Sequence, residues 1–123
     1  MTVKREKDQL QEVVQELRAF VAERDWGQFH DPKNLAMAVV SEAGELAAHY
    51  RWLRSEEADD WSAASENRSR IAAEAADVGI ALLLFCDRTG LDLVDAIRSK
   101  IEVNRRNYPQ ERSRGVRERP EVD

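Results

Sequence analysis

Residues Ser41–Leu46 read S-E-A-G-E-L, and residues Ala73–Val78 read A-E-A-A-D-V. Each stretch carries two carboxylates three positions apart, Glu42 with Glu45 and Glu74 with Asp77. On a helix, positions i and i+3 share a face. No Lys or Arg occurs between Leu35 and Tyr50, or between Ile71 and Asp87. Four acids on two mostly apolar helices therefore lack a local cation. Burying an unpaired ion costs several kcal/mol, so the pattern predicts a positive partner. A hard divalent cation such as Mg²⁺ suits an all-oxygen site. Taken singly, each acid reads as an ordinary solvated helix residue. The repeated pair and its small neighbours Ala43, Gly44, Ala75, Ala76 and Gly79 favour the metal. A helical Gly costs about 1 kcal/mol relative to Ala, and close helix approach is one reason to accept that cost.

Composition bounds the rest. The 123 residues suit one domain, and at 42% hydrophobic and 35% charged they can build a core and stay in solution. A formal charge of −5 argues against a general nucleic-acid binder, which needs a basic footprint. It leaves room for one nucleotide held through a metal. The single cysteine, Cys86, sits in the apolar run Ala81–Cys86 and reads as core. The polar N-terminus, M-T-V-K-R-E-K-D-Q-L, lacks the apolar centre of a signal peptide, and no apolar run reaches membrane-spanning length. The expected location is the cytoplasm.

Outward from the acidic pairs, the chain reads as helices throughout. A first helix is expected from about Lys4 to Arg24, with Leu10, Val13, Val14, Leu17, Phe20 and Val21 on one stripe. Asp25–His30, D-W-G-Q-F-H, breaks the pattern at Gly27 and gathers Trp26, Phe29 and His30. These rings can cover the end of a helical bundle. They can also form a wall for a flat base, worth on the order of 1–3 kcal/mol. Asp31 as N-cap and Pro32 in the first turn start a second helix, expected to run to about Leu53. Trp52 would then lie two turns beyond Glu45, roughly on its face. Glu56–Arg70 is polar and reads as a loop, with room for a short helical turn at Ala58–Ala64 and Trp61 as its anchor. A third helix is expected from about Asn67 to Arg88. Its second half, V-G-I-A-L-L-L-F-C, is apolar nearly all round, which predicts oligomerisation through helix packing. Gly90 stops it, and Asp92 caps a fourth helix with an apolar stripe of Leu93, Val94, Ile97 and Ile101. Lys100, Asn104 and Tyr108 follow one another at steps of four, either as a solvated face or as a functional row. Pro109 ends that helix. Gln110–Asp123 mixes four Arg with four acids and reads as a disordered polar tail. The expectation is an all-α fold of four main helices, with one domain over 1–109 and a tail over 110–123.

The order of these features resembles a known group. An aromatic loop, E-x-x-E, a spacer, E-x-x-D and K-x-x-x-N-x-x-x-Y are together similar to the all-α nucleoside triphosphate pyrophosphohydrolases of the MazG-like superfamily. The segments E-R-D-W-G-Q-F-H-D-P-K-N-L, S-E-A-G-E-L, Y-R-W and S-K-I-E-V-N-R-R-N-Y-P resemble its dCTP-directed branch, over roughly Leu17 to Pro109. The resemblance implies hydrolysis of a nucleoside triphosphate, dCTP or a 5-substituted dCTP, to the monophosphate and pyrophosphate. It implies Mg²⁺ on Glu42, Glu45, Glu74 and Asp77. Trp26, Gln28, Phe29, His30 and Trp52 match base and sugar contacts. Lys100 and Asn104 match residues near the phosphates and base, with Tyr108 in the same motif. The resemblance also implies a homotetramer built as a dimer of dimers. Two positions depart from the branch: Leu17 stands where a substrate-contacting His is expected, and Ala81 where a Tyr is expected.

The chemistry is consistent with those residues. Four carboxylates would repel a triphosphate unless cations intervene. Glu42 or Glu45 can take a proton from the attacking water. Lys100 can neutralise phosphate charge. No covalent nucleophile stands out. Other readings are a broad-specificity or dUTP-directed pyrophosphatase on the same scaffold, and a non-catalytic helical interaction module. A di-iron bundle would need E-x-x-H pairs, which neither His30 nor His49 supplies.

Overall fold

The computed structural model describes residues 8–121, and every regular element among them is helical. In chain order these are α1 (Gln9–Glu23), a 3₁₀ turn (Gly27–Phe29), α2 (Pro32–Ala48), α3 (Ser55–Ala63), α4 (Ser65–Thr89), α5 (Leu93–Asn107) and α6 (Gln110–Ser113). The all-α expectation holds. Lys4–Lys7 of the expected first helix lie outside the described residues, as do Val122 and Asp123 of the tail.

Local chemistry sets most helix ends. Asp8 caps α1, its carboxylate accepting the Leu10 N–H at 3.1 Å. Asp31 accepts the Asn34 N–H at 2.9 Å, with Pro32 supplying the preset φ of the first turn. Asp92 accepts the Asp95 N–H at 3.0 Å. Gly90 ends α4 at φ 71°, a left-handed cap that a side chain would disfavour. The turn after α1 pivots on Asp25 at φ 52°, and not on the neighbouring Gly27. Asp is among the few residues that tolerate this region.

Two expectations fail between residues 49 and 67. The second helix does not reach Leu53; α2 ends at Ala48, and Tyr50 and Arg51 both turn back to the Ala47 carbonyl. The polar stretch expected to be a loop with at most a short helical turn at Ala58–Ala64 is a nine-residue helix, α3, followed after Ala64 by α4. Glu56 and Glu57 lie in the first turn of α3, where the helix dipole favours acids. Glu57 also accepts the Arg54 backbone N–H at 3.4 Å. Trp61 fixes the helix in place. Its ring meets Tyr50 edge-on at 5.1 Å, and its carbonyl accepts Asn67 Nδ2 at 2.9 Å. The Tyr50 hydroxyl lies 2.7 Å from the Ser62 hydroxyl. These contacts draw Tyr50 off the axis of α2. Helix propensity is a weak preference that tertiary packing overrides.

The described residues up to Gly90 form one compact unit. Within it α2 packs along α4, and α1 and α3 also lie against α4. Arg18 on α1 grips Asp87 on α4 in a bidentate pair, Nε donating to both carboxylate oxygens at 3.0 Å. That guanidinium holds the Asp87 carboxyl below its ordinary value, against the opposing pull of partial burial. Among the described residues, only Leu35, Ala81 and Cys86 are buried in the single chain. Burial raises the Cys86 thiol above its ordinary value, in keeping with an inert core position. Met37 and Val40 on α2 remain 60% and 67% exposed, and Ile80 on α4 is 40% exposed. The apolar half of α4 is thus not closed off by its own chain.

The described residues from Leu91 onward form a second unit. It contains α5, with Lys100 and Asn104 exposed along it and Tyr108 as its C-cap. The tail expected to lack structure carries the short helix α6 just after Pro109. Among the described residues, no helix is long and apolar enough to cross a membrane.

Candidate functional site

The acidic pairs face each other where α2 runs along α4. Glu42, Glu45 and Glu74 each contribute a carboxylate oxygen, and these three atoms lie within 4.8 Å of one another. The i, i+3 spacing brings Glu42 and Glu45 to one side of α2, and the α2–α4 contact brings Glu74 to them. Oε2 of Glu42 and Oε2 of Glu74 are shielded from solvent and have no hydrogen-bond partner. The Glu42 carboxyl is pushed above its ordinary value. Loss of solvation is the main cause, followed by repulsion from Glu45 and Asp77, a hydrogen bond with Glu45, and repulsion from Glu74. In its ionised form Glu42 therefore works against the metal-free fold. Asp77 is exposed and acts on Glu42 through its charge, but it is not in the close group of three.

Among the described residues, neither Glu42 nor Glu45 pairs with a Lys or Arg, and the neighbour of Glu74 is His49, with Nε2 3.7 Å from Oε1. The donor set is all oxygen, two of its atoms are buried without partners, and its carboxylates repel one another. Such a set fits a hard divalent cation.

A second feature lies between α1, the 3₁₀ turn and α4. It is a cavity of about 390 Å³ floored by Val21, Leu35 and Leu84 and rimmed by Arg18, Asp25, His30, Asp87 and Arg88. Its volume is in the range of small-molecule sites. Leu84 follows Asp77 by seven positions on α4, so the cavity lies about 10 Å along the helix from that acid, on the same face.

The other expected site residues divide by location. Trp26 is 43% exposed, with its ring edge-on to Phe20 at 5.6 Å, and Phe29 is 59% exposed. His30 is half-buried on the cavity rim. The Gln28 amide donates to the Asp25 carbonyl at 3.0 Å and to its carboxylate at 3.3 Å, bracing the turn. Asn34 Nδ2 donates to the Phe29 carbonyl at 3.1 Å and ties that turn to α2. Trp52 is not on the helical face of Glu45. It lies beyond the end of α2, 84% exposed, with the Arg51 guanidinium 5.2 Å from its ring. Lys100, Asn104 and Tyr108 belong to the second unit.

His49 and the rim residues Arg18, Asp87 and Arg88 are not among the site residues expected from sequence, whereas His30 on the same rim is. His49 was legible in principle. It stands four residues after Glu45 and seven after Glu42, on the spacing of one helix face. The rim residues Arg18, Asp87 and Arg88 carry no such local signal.

Comparison with known proteins extends this geometry. No protein-family model matches the chain. It is 42% identical over 96 residues to dCTP pyrophosphatase 1 of Bos taurus, covering 78% of this chain and 57% of that protein. The same enzyme of Homo sapiens matches at 42% over 90 residues, 73% of this chain and 53% of that one. The chain thus spans a little over half the length of these curated relatives. A crystallised pyrophosphatase from Archaeoglobus fulgidus superposes with a TM-score of 0.79 at 31% identity, covering 88% of this chain and 99% of that one.

Proposed function

The chain belongs to the all-α MazG-like nucleoside triphosphate pyrophosphohydrolases, and from that premise we propose that it hydrolyses a deoxynucleoside triphosphate to the monophosphate and pyrophosphate. The observation that carries this reading is the convergence of Glu42, Glu45 and Glu74 with two buried, unpaired oxygens. Glu42, Glu45 and Glu74 would hold Mg²⁺, with Asp77 completing the acidic set. A divalent cation bound there supplies positive charge to phosphate oxygens and activates water. One of Glu42 and Glu45 accepts the proton of the attacking water. Trp26 and Phe29 offer exposed rings to the base, and His30 offers a polar edge beside the cavity. A cytosine nucleotide, including one with a 5-substituent, is the favoured substrate, as the names of the relatives suggest.

A screen of dCTP, 5-substituted dCTP, dUTP, dTTP and purine triphosphates with and without Mg²⁺ tests the reading. Pyrophosphate and a monophosphate should appear only with Mg²⁺, fastest from the cytosine nucleotides. Release of orthophosphate would defeat the reaction assigned. Equal kcat/KM for purines and pyrimidines would remove the cytosine preference and leave the pyrophosphatase.

We further propose that the working form is a homotetramer. Exposed Met37, Val40 and Ile80 support it, as does an open groove of about 610 Å³ lined by Leu46, Ala47, Ile71, Ala72 and Ala75. Exposed apolar surface on two packed helices is the kind of surface that association buries. Light scattering at micromolar concentration should report four chains; a monomer mass would refute the assembly.

A further inference from the structure

His49 is the one imidazole that the helix register brings beside the acidic cluster. It caps the C-terminal end of α2, and its Nε2 stands 3.7 Å from Oε1 of Glu74. The two oxygens of Glu74 are thereby distinguished. Oε1 faces the imidazole, whereas Oε2 is shielded from solvent and has no partner. Both side chains are about one-quarter exposed, so the contact lies at the edge of solvent.

The ring of His49 is itself supported. It lies against the Trp61 indole, with centroids 6.1 Å apart and the planes 35° from parallel. Trp61 is in turn held by Tyr50 edge-on and by Asn67 at its carbonyl. A chain of contacts therefore runs from α3 through Trp61 and His49 to a carboxylate of the cluster.

We infer that His49, seated on Trp61, is a positioning residue that holds Oε1 of Glu74 and so presents Oε2 to the cation. A carboxylate that ligates a metal is commonly oriented by a hydrogen bond to its other oxygen. The 3.7 Å separation is longer than a hydrogen bond. Contacts of this kind are often long in unliganded proteins and tighten when the site is filled. The role requires the tautomer that carries hydrogen on Nε2. The inference rests on the assignment of Glu74 to a metal site in the proposed function.

The test measures Mg²⁺ binding without turnover. Trp61 lies beside His49, so titration of intrinsic fluorescence can follow the site, with the Mg²⁺-induced rise in melting temperature as an independent readout. His49→Leu removes the N–H and should weaken Mg²⁺ about 10- to 100-fold. His49→Gln keeps a donor of similar reach and should recover most of that loss. Both variants should melt near the wild-type temperature without metal. If His49→Leu does not fold, His49→Asn takes its place, because its shorter amide does not reach Glu74. Unchanged Mg²⁺ affinity in the variants, while wild type binds, overturns the role of His49 alone. Equal loss in the Leu and Gln variants also overturns it, since no donor would then be at work. Absence of Mg²⁺ binding by wild type overturns the metal assignment itself.

Discussion

Glu45→Gln should reduce kcat on the order of 10²–10⁴-fold, the usual contribution of a positioned acid–base group, and leave the fold intact. Glu45 is exposed on α2 and, among the described residues, makes no hydrogen bond outside the acidic group, so an amide of the same shape fits without repacking. Surface exchanges of this kind change stability little. The amide keeps one oxygen but cannot accept the proton of water, and it lowers the charge that attracts the cation. Two readouts separate these effects. If Glu45 acts mainly on the proton, saturating Mg²⁺ will not restore turnover. If it acts mainly as a ligand, high Mg²⁺ will restore part of it. Turnover equal to wild type under limiting Mg²⁺ would remove Glu45 from the machinery.

Trp26→Ala should raise KM for every triphosphate tested, about 5- to 150-fold, which corresponds to the 1–3 kcal/mol of one base–aromatic stack. Every base has a π-face, so the loss should be similar for purines and pyrimidines. Trp26 sits on the turn between α1 and α2, 43% exposed, where its known partner is the edge-on Phe20 ring. Arg24 also lies over Phe20, 3.7 Å from its centroid, so that ring keeps a neighbour when Trp26 is removed. The protein should therefore remain folded, as circular dichroism can verify. A loss confined to one base would mean that Trp26 reads base identity, and an unchanged KM would place the base elsewhere.

The sequence by itself determined the helical class, most helix ends and the pairing of acids along each helix. These depend on interactions within a turn or two. Asp31 with Pro32, Gly90 and Asp92 act on the backbone beside them, and i, i+3 spacing fixes that Glu42 and Glu45 share a face. The tertiary structure decided what depends on separate helices meeting. It selected Glu42, Glu45 and Glu74 as the close group and left Asp77 exposed beside it, because the α2–α4 contact sets which turns face each other. It ended α2 at Ala48 and made a helix of the polar stretch after it, because Tyr50 and His49 pack on Trp61, eleven and twelve residues further on. It placed Trp52 off the face of Glu45 for the same reason. Aromatic burial and a hydroxyl pair between distant residues outweighed the small propensity that would have carried α2 one turn further.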